Sequence, residues 1–158
     1  MSFVVSKFVD CHVFVRKKNT FHFLLLKRAA DLRYPNTWQQ VQGKVEPGET
    51  AWQAALRELK EETGLSPVQF WNVDFLNRFY YPQTDETYQF PVFAAEVRNK
   101  TVRLSHEHSD YKWIDYPNCK ELVIWESQKQ ALDIIYQDIC LERHAEKLNF
   151  LKIDLSNV

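Results

Sequence analysis

Residues 43–65, GKVEPGETAWQAALRELKEETGL, constrain this chain more than any other stretch, because many carboxylates fall within one short amphipathic segment. If the segment is helical, Glu58, Glu61 and Glu62 follow i, i+3, i+4 spacing and project from one face. Like charges held that close destabilise a bare helix by about 0.2–0.5 kcal/mol per pair. A cation is therefore expected among them, and the oxygen donors favour magnesium, which also recruits substrate phosphates.

The same stretch carries its own start and stop signals for a helix. Pro47 and Gly48 keep the preceding loop non-helical, and Thr50 is suited to cap a helix that runs to about Thr63. Gly64 supplies the C-terminal stop. The apolar residues that share one side of this helix predict a buried face; they are Trp52, Ala55, Leu56 and Leu59.

Length and composition indicate one globular domain over residues 1–158, with 148–158 as an uncertain tail. The 20 Lys+Arg residues nearly balance the 21 Asp+Glu residues, so the chain has no basic field for nucleic acid or a membrane surface. Neither a secretion signal nor a membrane-length apolar run is recognisable, which predicts a cytoplasmic protein. The scattered Cys11, Cys119 and Cys140 are interpreted as core thiols.

Alternating and β-branched segments predict a strand-rich chain around this helix, and the fold class is therefore α/β. A second, longer helix is expected over 125–144, and 116–118 reads as a turn. The predicted strands are 3–15, 21–26, 38–42, 68–81, 87–97, 102–104 and 111–114.

Nine residues within 43–65 reproduce every fixed position of the Nudix box, G-x5-E-x7-R-E-U-x-E-E-x-G-U, where U is a bulky aliphatic residue. They are Gly43, Glu49, Arg57, Glu58, Leu59, Glu61, Glu62, Gly64 and Leu65. The chain thus resembles the MutT-like Nudix hydrolases. That resemblance implies an α/β/α sandwich with a central mixed β-sheet, and hydrolysis of phosphoanhydride bonds in substrates built on a nucleoside diphosphate.

The resemblance also implies a metal site. Glu58, Glu61 and Glu62 match the family's metal ligands, and a backbone carbonyl of Gln42 or Gly43 would add a further oxygen. The implied cofactor is Mg²⁺, with Mn²⁺ as an alternative.

Further catalytic roles follow from the same match. Glu49 resembles the box glutamate that supports the metal site, and Arg57 the arginine that orients the glutamates, as its i+4 relation to Glu61 permits. The general base differs among Nudix enzymes. Glu58 in the box and Glu107 in a later loop are candidates, and an exposed loop acid is the alternative interpretation of Glu107. His106 and His108 are interpreted as loop histidines.

Substrate contacts are less explicit in the sequence. Arg28, from a basic cluster, and Lys44, from the loop before the helix, are candidates for phosphate contacts, although a solvated strand end explains the basic cluster equally well. Trp38 and Tyr81 could stack on a flat ring. A place in the core is the alternative for both aromatic residues.

Residues 38–50 and 107–115 resemble the bacterial dihydroneopterin triphosphate pyrophosphatases, which also hydrolyse dATP. The resemblance implies cleavage of dihydroneopterin triphosphate or a (d)NTP to a monophosphate and pyrophosphate. Pro82 and the tyrosines Tyr80 and Tyr81 leave ADP-ribose and dinucleoside polyphosphates open as substrates. A non-catalytic, nucleotide-sensing Nudix module is the alternative of another class. The expected partner is a small nucleotide-like molecule, and a homodimer is left open.

Overall fold

The computed structural model describes residues 6–157, which form seven strands and four helices. The strands are β1 (Phe8–Lys17), β2 (Thr20–Arg28), β3 (Trp38–Gln39), β4 (Val41–Lys44), β5 (Gln69–Tyr81), β6 (Glu86–Val97) and β7 (His108–Asp115). The helices are α1 (Ala51–Thr63), α2 (Tyr116–Leu122), α3 (Glu126–Ile135) and α4 (Ala145–Leu151).

Strand β1 is the centre of one mixed sheet. It pairs in parallel with β6 on one side, and on its other side pairs antiparallel with β4 at its start and with β2 at its end. Strand β2 also pairs with β3 and β7, and β5 pairs with β6 as an antiparallel hairpin. The predicted α/β class with a central mixed sheet is confirmed.

Side chains alternate across the sheet and build two separate cores. On the α1 face, the side of the sheet that packs against α1, Val9, Cys11 and Val41 contact Leu59 and its neighbours. On the α3 face, the opposite side, Phe14 and Trp71 pack with Leu132 of α3. One helix layer on each side of the sheet gives the three-layer sandwich that the sequence predicted.

Helix α1 has the predicted ends. The Thr50 hydroxyl accepts a hydrogen bond from the Gln53 backbone N–H, while the Gln53 side chain accepts one from the Thr50 N–H. Gly64 ends the helix with a φ of 75°, a left-handed conformation that glycine adopts without strain. The two caps fix where the acidic helix begins and ends.

Two predictions after β6 are wrong. Residues 102–104 form no strand; the Arg103 N–H instead donates to the Thr63 carbonyl at the end of α1. Residues 116–118 begin α2 rather than a turn, because the Asp115 carboxylate caps the Asn118 N–H and a proline is tolerated in the first helical turn.

The C-terminal part also differs from the prediction. Helix α3 ends at Ile135 and continues as a π-helical turn, Tyr136–Cys140, so the regular helix does not reach residue 144. Glu142, with a φ of 51°, marks the change of direction. The uncertain tail contains most of α4, and Lys152 pairs with Trp71.

Residues 3–5 of the first predicted strand lie outside the described residues. Strand β1 runs from Phe8 to Lys17, past the predicted end at residue 15. Cys11, Cys119 and Cys140 are free and buried, as the core interpretation predicted. No helix within residues 6–157 is long and apolar enough to cross a membrane. The single-domain assignment over 1–158, the cytoplasmic location and the homodimer stay predictions.

Candidate active site

Arg57 of α1 is the centre of an ion-pair network among the box glutamates. Its Nε and Nη2 atoms donate to the two carboxylate oxygens of Glu49 at 3.1 and 2.7 Å. Its Nη1 atom donates to Glu58 at 2.9 Å and to Glu61 at 3.2 Å. The guanidinium geometry suits such two-pronged contacts. The contact with Glu61 that the i+4 spacing predicted is present in the structure.

Arg57 also joins the helix to the strand that precedes it. Its Nη2 atom donates to the Lys44 carbonyl at 2.8 Å. Hydrogen bonds to Glu49 and Glu58 raise the pKa of Arg57, and the bond from Arg57 is the largest cause that lowers the pKa of Glu49. The network therefore keeps Glu49 ionised and fixes the loop before α1 against β4.

Glu62 differs from the other box glutamates because it is buried, with 3% of its surface exposed. Burial, reinforced by the charges of Glu58 and Glu107, raises the pKa of Glu62 to about 9. Its Oε2 atom has no hydrogen-bond partner among residues 6–157. A buried, unpaired carboxylate oxygen beside other acids is a site where a bound cation would relieve a large electrostatic cost.

Gly43 of β4 lies directly against the glutamates. A Cβ atom built on Gly43 would stand 2.2 Å from the carboxyl carbon of Glu58, far inside van der Waals contact. The glycine is therefore needed for the approach of the Glu58 carboxylate to β4, independently of backbone conformation. Burial is also the largest cause of a raised pKa at Glu58.

Two residues outside the box reach the same place. The charge of Glu107, just before β7, raises the pKa of both Glu58 and Glu62, and the charge of Arg28 at the end of β2 lowers that of Glu62. The Ala29 N–H donates to the Glu107 carbonyl at 3.0 Å, which ties the two segments together. The charges of Glu107 and Arg28 thus act on the box glutamates, and the predicted roles of both residues stay predictions.

The donor set fits a hard divalent cation, although its side chains do not yet enclose one. Within residues 6–157, no three His, Cys, Asp or Glu side chains converge as a ready-made ligand group. The Glu58 and Glu61 carboxylates are turned toward Arg57, whereas Glu62 keeps an unpaired oxygen. All the donors here are carboxylate or carbonyl oxygens, which magnesium, manganese and calcium prefer.

The other three predicted substrate contacts lie on the α3 face, not beside the glutamates. The side chains of Lys44 and Gln42, two residues apart on β4, lie on the same side of the sheet. Trp38 packs against the α3-face core. Two lysine ammonium groups lie over the Trp38 ring, that of Lys112 at 4.9 Å and that of Lys27 at 5.9 Å. The Arg33 guanidinium lies 4.4 Å from the centre of the Tyr81 ring. Both predicted stacking residues are therefore already in contact with cationic side chains.

His106 is an exposed loop residue, as predicted, but His108 is not. It begins β7, is 6% exposed, and its Nε2 atom lies 3.2 Å from the Gln39 amide nitrogen. Burial lowers the pKa of His108 to about 4, so the ring is neutral near pH 7. The loop interpretation was wrong because β7 begins three residues earlier than the strand predicted from 111–114.

Asp10 of β1 is a buried acid that sequence reasoning missed. Its side chain is buried on the α3 face, where Gln42 donates to Oδ1 at 3.0 Å and Asn77 donates to Oδ2 at 2.7 Å. The nearby Gln40 side chain also lowers the pKa of Asp10, and its Oε1 atom accepts a hydrogen bond from Gln128 of α3. Burial raises the pKa of Asp10 to about 6, against the opposing effect of these amides. A lone acid inside an apolar strand gives no sequence pattern, because its partners lie far along the chain.

Comparisons with known proteins agree with this fold and site. The NUDIX domain family model matches residues 8–133. The asymmetrical bis(5'-nucleosyl)-tetraphosphatase of Mus musculus is 30% identical over 125 residues, covering 77% of this chain and 83% of the mouse protein. The dihydroneopterin triphosphate diphosphatase of Escherichia coli K12 is 31% identical over 143 residues, covering 82% of this chain and 93% of that protein.

A solved structure of a C. elegans Ap4A hydrolase binary complex superimposes with a TM-score of 0.68 at 27% identity, covering 83% of this chain and 95% of that one. The chain belongs to the Nudix family. It is a Nudix pyrophosphohydrolase of nucleotide-like substrates, a class that generally uses divalent metal ions.

Proposed function

We propose that this enzyme is a magnesium-dependent pyrophosphohydrolase that cleaves dihydroneopterin triphosphate to the monophosphate and pyrophosphate. The observation that carries the chemistry is the unpaired, buried oxygen of Glu62 beside Glu58 and Gly43. The E. coli relative, at 31% identity over 93% of its length, supports this substrate.

Each residue of the site has a role in this proposal. Glu58, Glu61 and Glu62, with a backbone carbonyl of Gln42 or Gly43, would hold the metal, which supplies charge neutralisation for the phosphates and activation of a water when bound. Arg57 and Glu49 keep the glutamates and β4 in position. Arg28 offsets phosphate charge next to Glu62.

Glu107 is the proposed general base. It is exposed in the loop before β7, yet close enough to raise the pKa of Glu58 and Glu62. A carboxylate in that position can accept a proton from a water that approaches the phosphate chain. Glu58 is the alternative base, but its carboxylate is already paired with Arg57 at 2.9 Å.

A dinucleoside polyphosphate is the second candidate substrate. The mouse tetraphosphatase relative and the C. elegans Ap4A hydrolase structure favour it. The pairs Lys112–Trp38 and Arg33–Tyr81 could also contact a second phosphate group or ring. General (d)NTP and ADP-ribose hydrolysis complete the set of substrates to be tested.

A substrate panel with identification of products by mass spectrometry tests the proposal. Dihydroneopterin triphosphate, the common (d)NTPs, diadenosine tetraphosphate and ADP-ribose should each be incubated with the enzyme and Mg²⁺, with Mn²⁺ and excess chelator in parallel. We expect the highest kcat/KM for dihydroneopterin triphosphate and no turnover with chelator. Faster cleavage of diadenosine tetraphosphate would establish the second candidate, and binding without turnover of any compound would favour the non-catalytic sensor.

A further inference from the structure

The Asp10 carboxylate determines how two neighbouring amide groups are oriented. An ionised carboxylate only accepts hydrogen bonds, so Asn77 and Gln42 must present their NH₂ groups to it, as they do at 2.7 and 3.0 Å. Their carbonyl oxygens are then turned away from Asp10. Since Gln42 and Asn77 come from β4 and β5, the carboxylate fixes two acceptors from two strands on one face of the sheet.

One of these acceptors has nothing to bind within the described part of the chain. Asn77 is 6% exposed, and its Oδ1 atom has no hydrogen-bond partner among residues 6–157. Buried amide oxygens are nearly always paired, because an unpaired one has lost its water without compensation. A ligand that brings an N–H group to this position would restore the missing hydrogen bond.

An apolar surface for a flat ring adjoins Asn77. The aromatic ledge, defined as Phe8, Phe79, Tyr88 and Phe90, lies on the α3 face of β1, β5 and β6. The centres of contacting rings are 5.1 to 5.9 Å apart, and Phe79 is 42% exposed. Phe90 is the strand partner of Asn77, so the ledge and the free acceptor are adjacent.

A cleft lies at the same edge of the sheet. The cleft, of about 530 Å³, is lined by Ser6, Lys7, Phe8, Lys44 and residues 45–49, so it meets the ledge at Phe8 and reaches the loop that carries Glu49. Gln42 and Gly43 are consecutive on β4, with Gln42 on the α3 face and Gly43 against Glu58. A ring that binds Gln42 on the α3 face is therefore separated from Glu58 by the thickness of β4.

We propose that Asn77 and Gln42, oriented by Asp10, are specificity-determining residues that bind the N–H edge of a 2-amino-4-oxopyrimidine ring stacked on the aromatic ledge. This inference rests on the proposed function. Such a ring, present in pterins and in guanine, carries a ring N–H beside an exocyclic NH₂ and so offers adjacent donors to the two amide oxygens. Adenine offers one amino group beside a ring nitrogen that only accepts. Asp10 is a positioning residue that acts through the two amides.

The first test replaces Asn77 by leucine, which has nearly the same shape but no acceptor. For dihydroneopterin triphosphate we expect KM to rise at least about tenfold while kcat stays within about twofold, because one ring hydrogen bond is lost. The matched control is Asn72→Leu, an exposed asparagine on the same strand. A KM for Asn77→Leu equal to that of Asn72→Leu would overturn the proposal.

The second test compares GTP with ITP, which lacks only the 2-amino group. The wild-type enzyme should prefer GTP, whereas Asn77→Leu and Gln42→Met should both reduce that preference by about tenfold or more. Asp10→Asn should reduce the preference for GTP as well. An amide at position 10 both donates and accepts hydrogen bonds, so Asn77 could turn either its NH₂ group or its oxygen toward it. Loss of stability alone would lower the activity on both nucleotides equally and leave their ratio unchanged.

The two proposals fail in different ways. If the wild-type enzyme turns over no member of the substrate panel, the proposed function is wrong. If it turns over the panel, but the GTP to ITP ratio is near one or is the same in wild type and in the folded variants, the ring-binding assignment is wrong while the hydrolase remains. Thermal unfolding of each variant establishes that it is folded.

Discussion

Glu62 and Asp10 are buried acids on opposite faces of the sheet, and the groups around them differ. On the α1 face, three glutamates bind Arg57, and Glu62 remains buried with an oxygen unpaired among residues 6–157. On the α3 face, the Asp10 carboxylate has no cationic partner among residues 6–157 and is hydrogen-bonded by the amides of Gln42 and Asn77 instead. Excess negative charge suits a metal and phosphates, whereas a satisfied carboxylate suits the orientation of hydrogen-bonding groups. Changes on the α1 face should therefore alter kcat, and changes on the α3 face should alter KM.

Glu62→Gln should have the largest effect. It removes a charge needed to hold the metal, so kcat should fall by about 10³-fold, the equivalent of several kcal/mol of lost transition-state stabilisation. Burial opposes the ionisation of Glu62, so the metal-free variant should remain folded. Steady-state kinetics and thermal unfolding without metal measure both quantities.

Glu121→Gln, a change of an exposed acid on α2, is the matched control for that variant and should behave as wild type. Metal-dependent turnover by Glu62→Gln at the wild-type rate would remove Glu62 from the metal site.

Gly43→Ala should have the next largest effect. The new methyl group would occupy the place of the Glu58 carboxyl, which must move away from β4. A displacement of about 1 Å costs about 10²-fold in rate. Because Glu58 is a flexible side chain, the melting temperature should change little. A crystal structure of the variant would show the displaced carboxylate, and an active variant with Glu58 unmoved would contradict the argument.

Arg57→Lys tests the network that positions the α1 face. Lysine keeps the charge but cannot bind both oxygens of Glu49 while also reaching Glu58 and the Lys44 carbonyl. The apparent affinity for Mg²⁺ should fall by about tenfold, as for other residues that orient metal ligands. Titration of activity with Mg²⁺ measures this affinity. Arg143→Lys, an exposed arginine beyond α3, is the control.

His12→Leu tests the α3 face through stability and should have the smallest effect. Burial lowers the pKa of His12 from 6.5 to about 3, so the unfolded chain takes up a proton that the folded protein refuses. The free energy of unfolding should therefore fall from pH 6.5 toward pH 3, by at most about 1.4 kcal/mol per pH unit from this group. Urea unfolding at pH 7 and pH 5 should show a weaker pH dependence in His12→Leu than in the exposed control His106→Gln.

Local signals and charge spacing were enough to predict the α1 face. The cap at Thr50, the stop at Gly64 and the Arg57–Glu61 contact all lie within one helix, where spacing along the chain is spacing in the structure. The mixed sheet and its sandwich were predicted through family resemblance and strand patterns. The assignment of the box residues to catalysis and metal binding is still a prediction, and the variants above test it.

The α3 face could not be predicted in this way. Asp10 meets Gln42 and Asn77 across separations of 32 and 67 residues, so no local window contains the cluster. Helix α2 was missed because the Tyr-Pro-Asn sequence that suggested a turn is also tolerated at a helix start when Asp115 caps it. In both cases the local sequence was compatible with more than one structure, and contacts of the folded chain determined which one formed.

The alternation along β4 also limits how such an enzyme can diversify. A shift of β4 by one residue relative to β1 would bring a side chain to the position of Gly43 and remove Gln42 from Asp10 at the same time. Insertions that preserve this register must therefore lie before Val41, at the interruption between β3 and β4 or upstream of it. Substitutions at 42 and 77 would change the proposed ring contacts without altering the register that keeps Gly43 against Glu58.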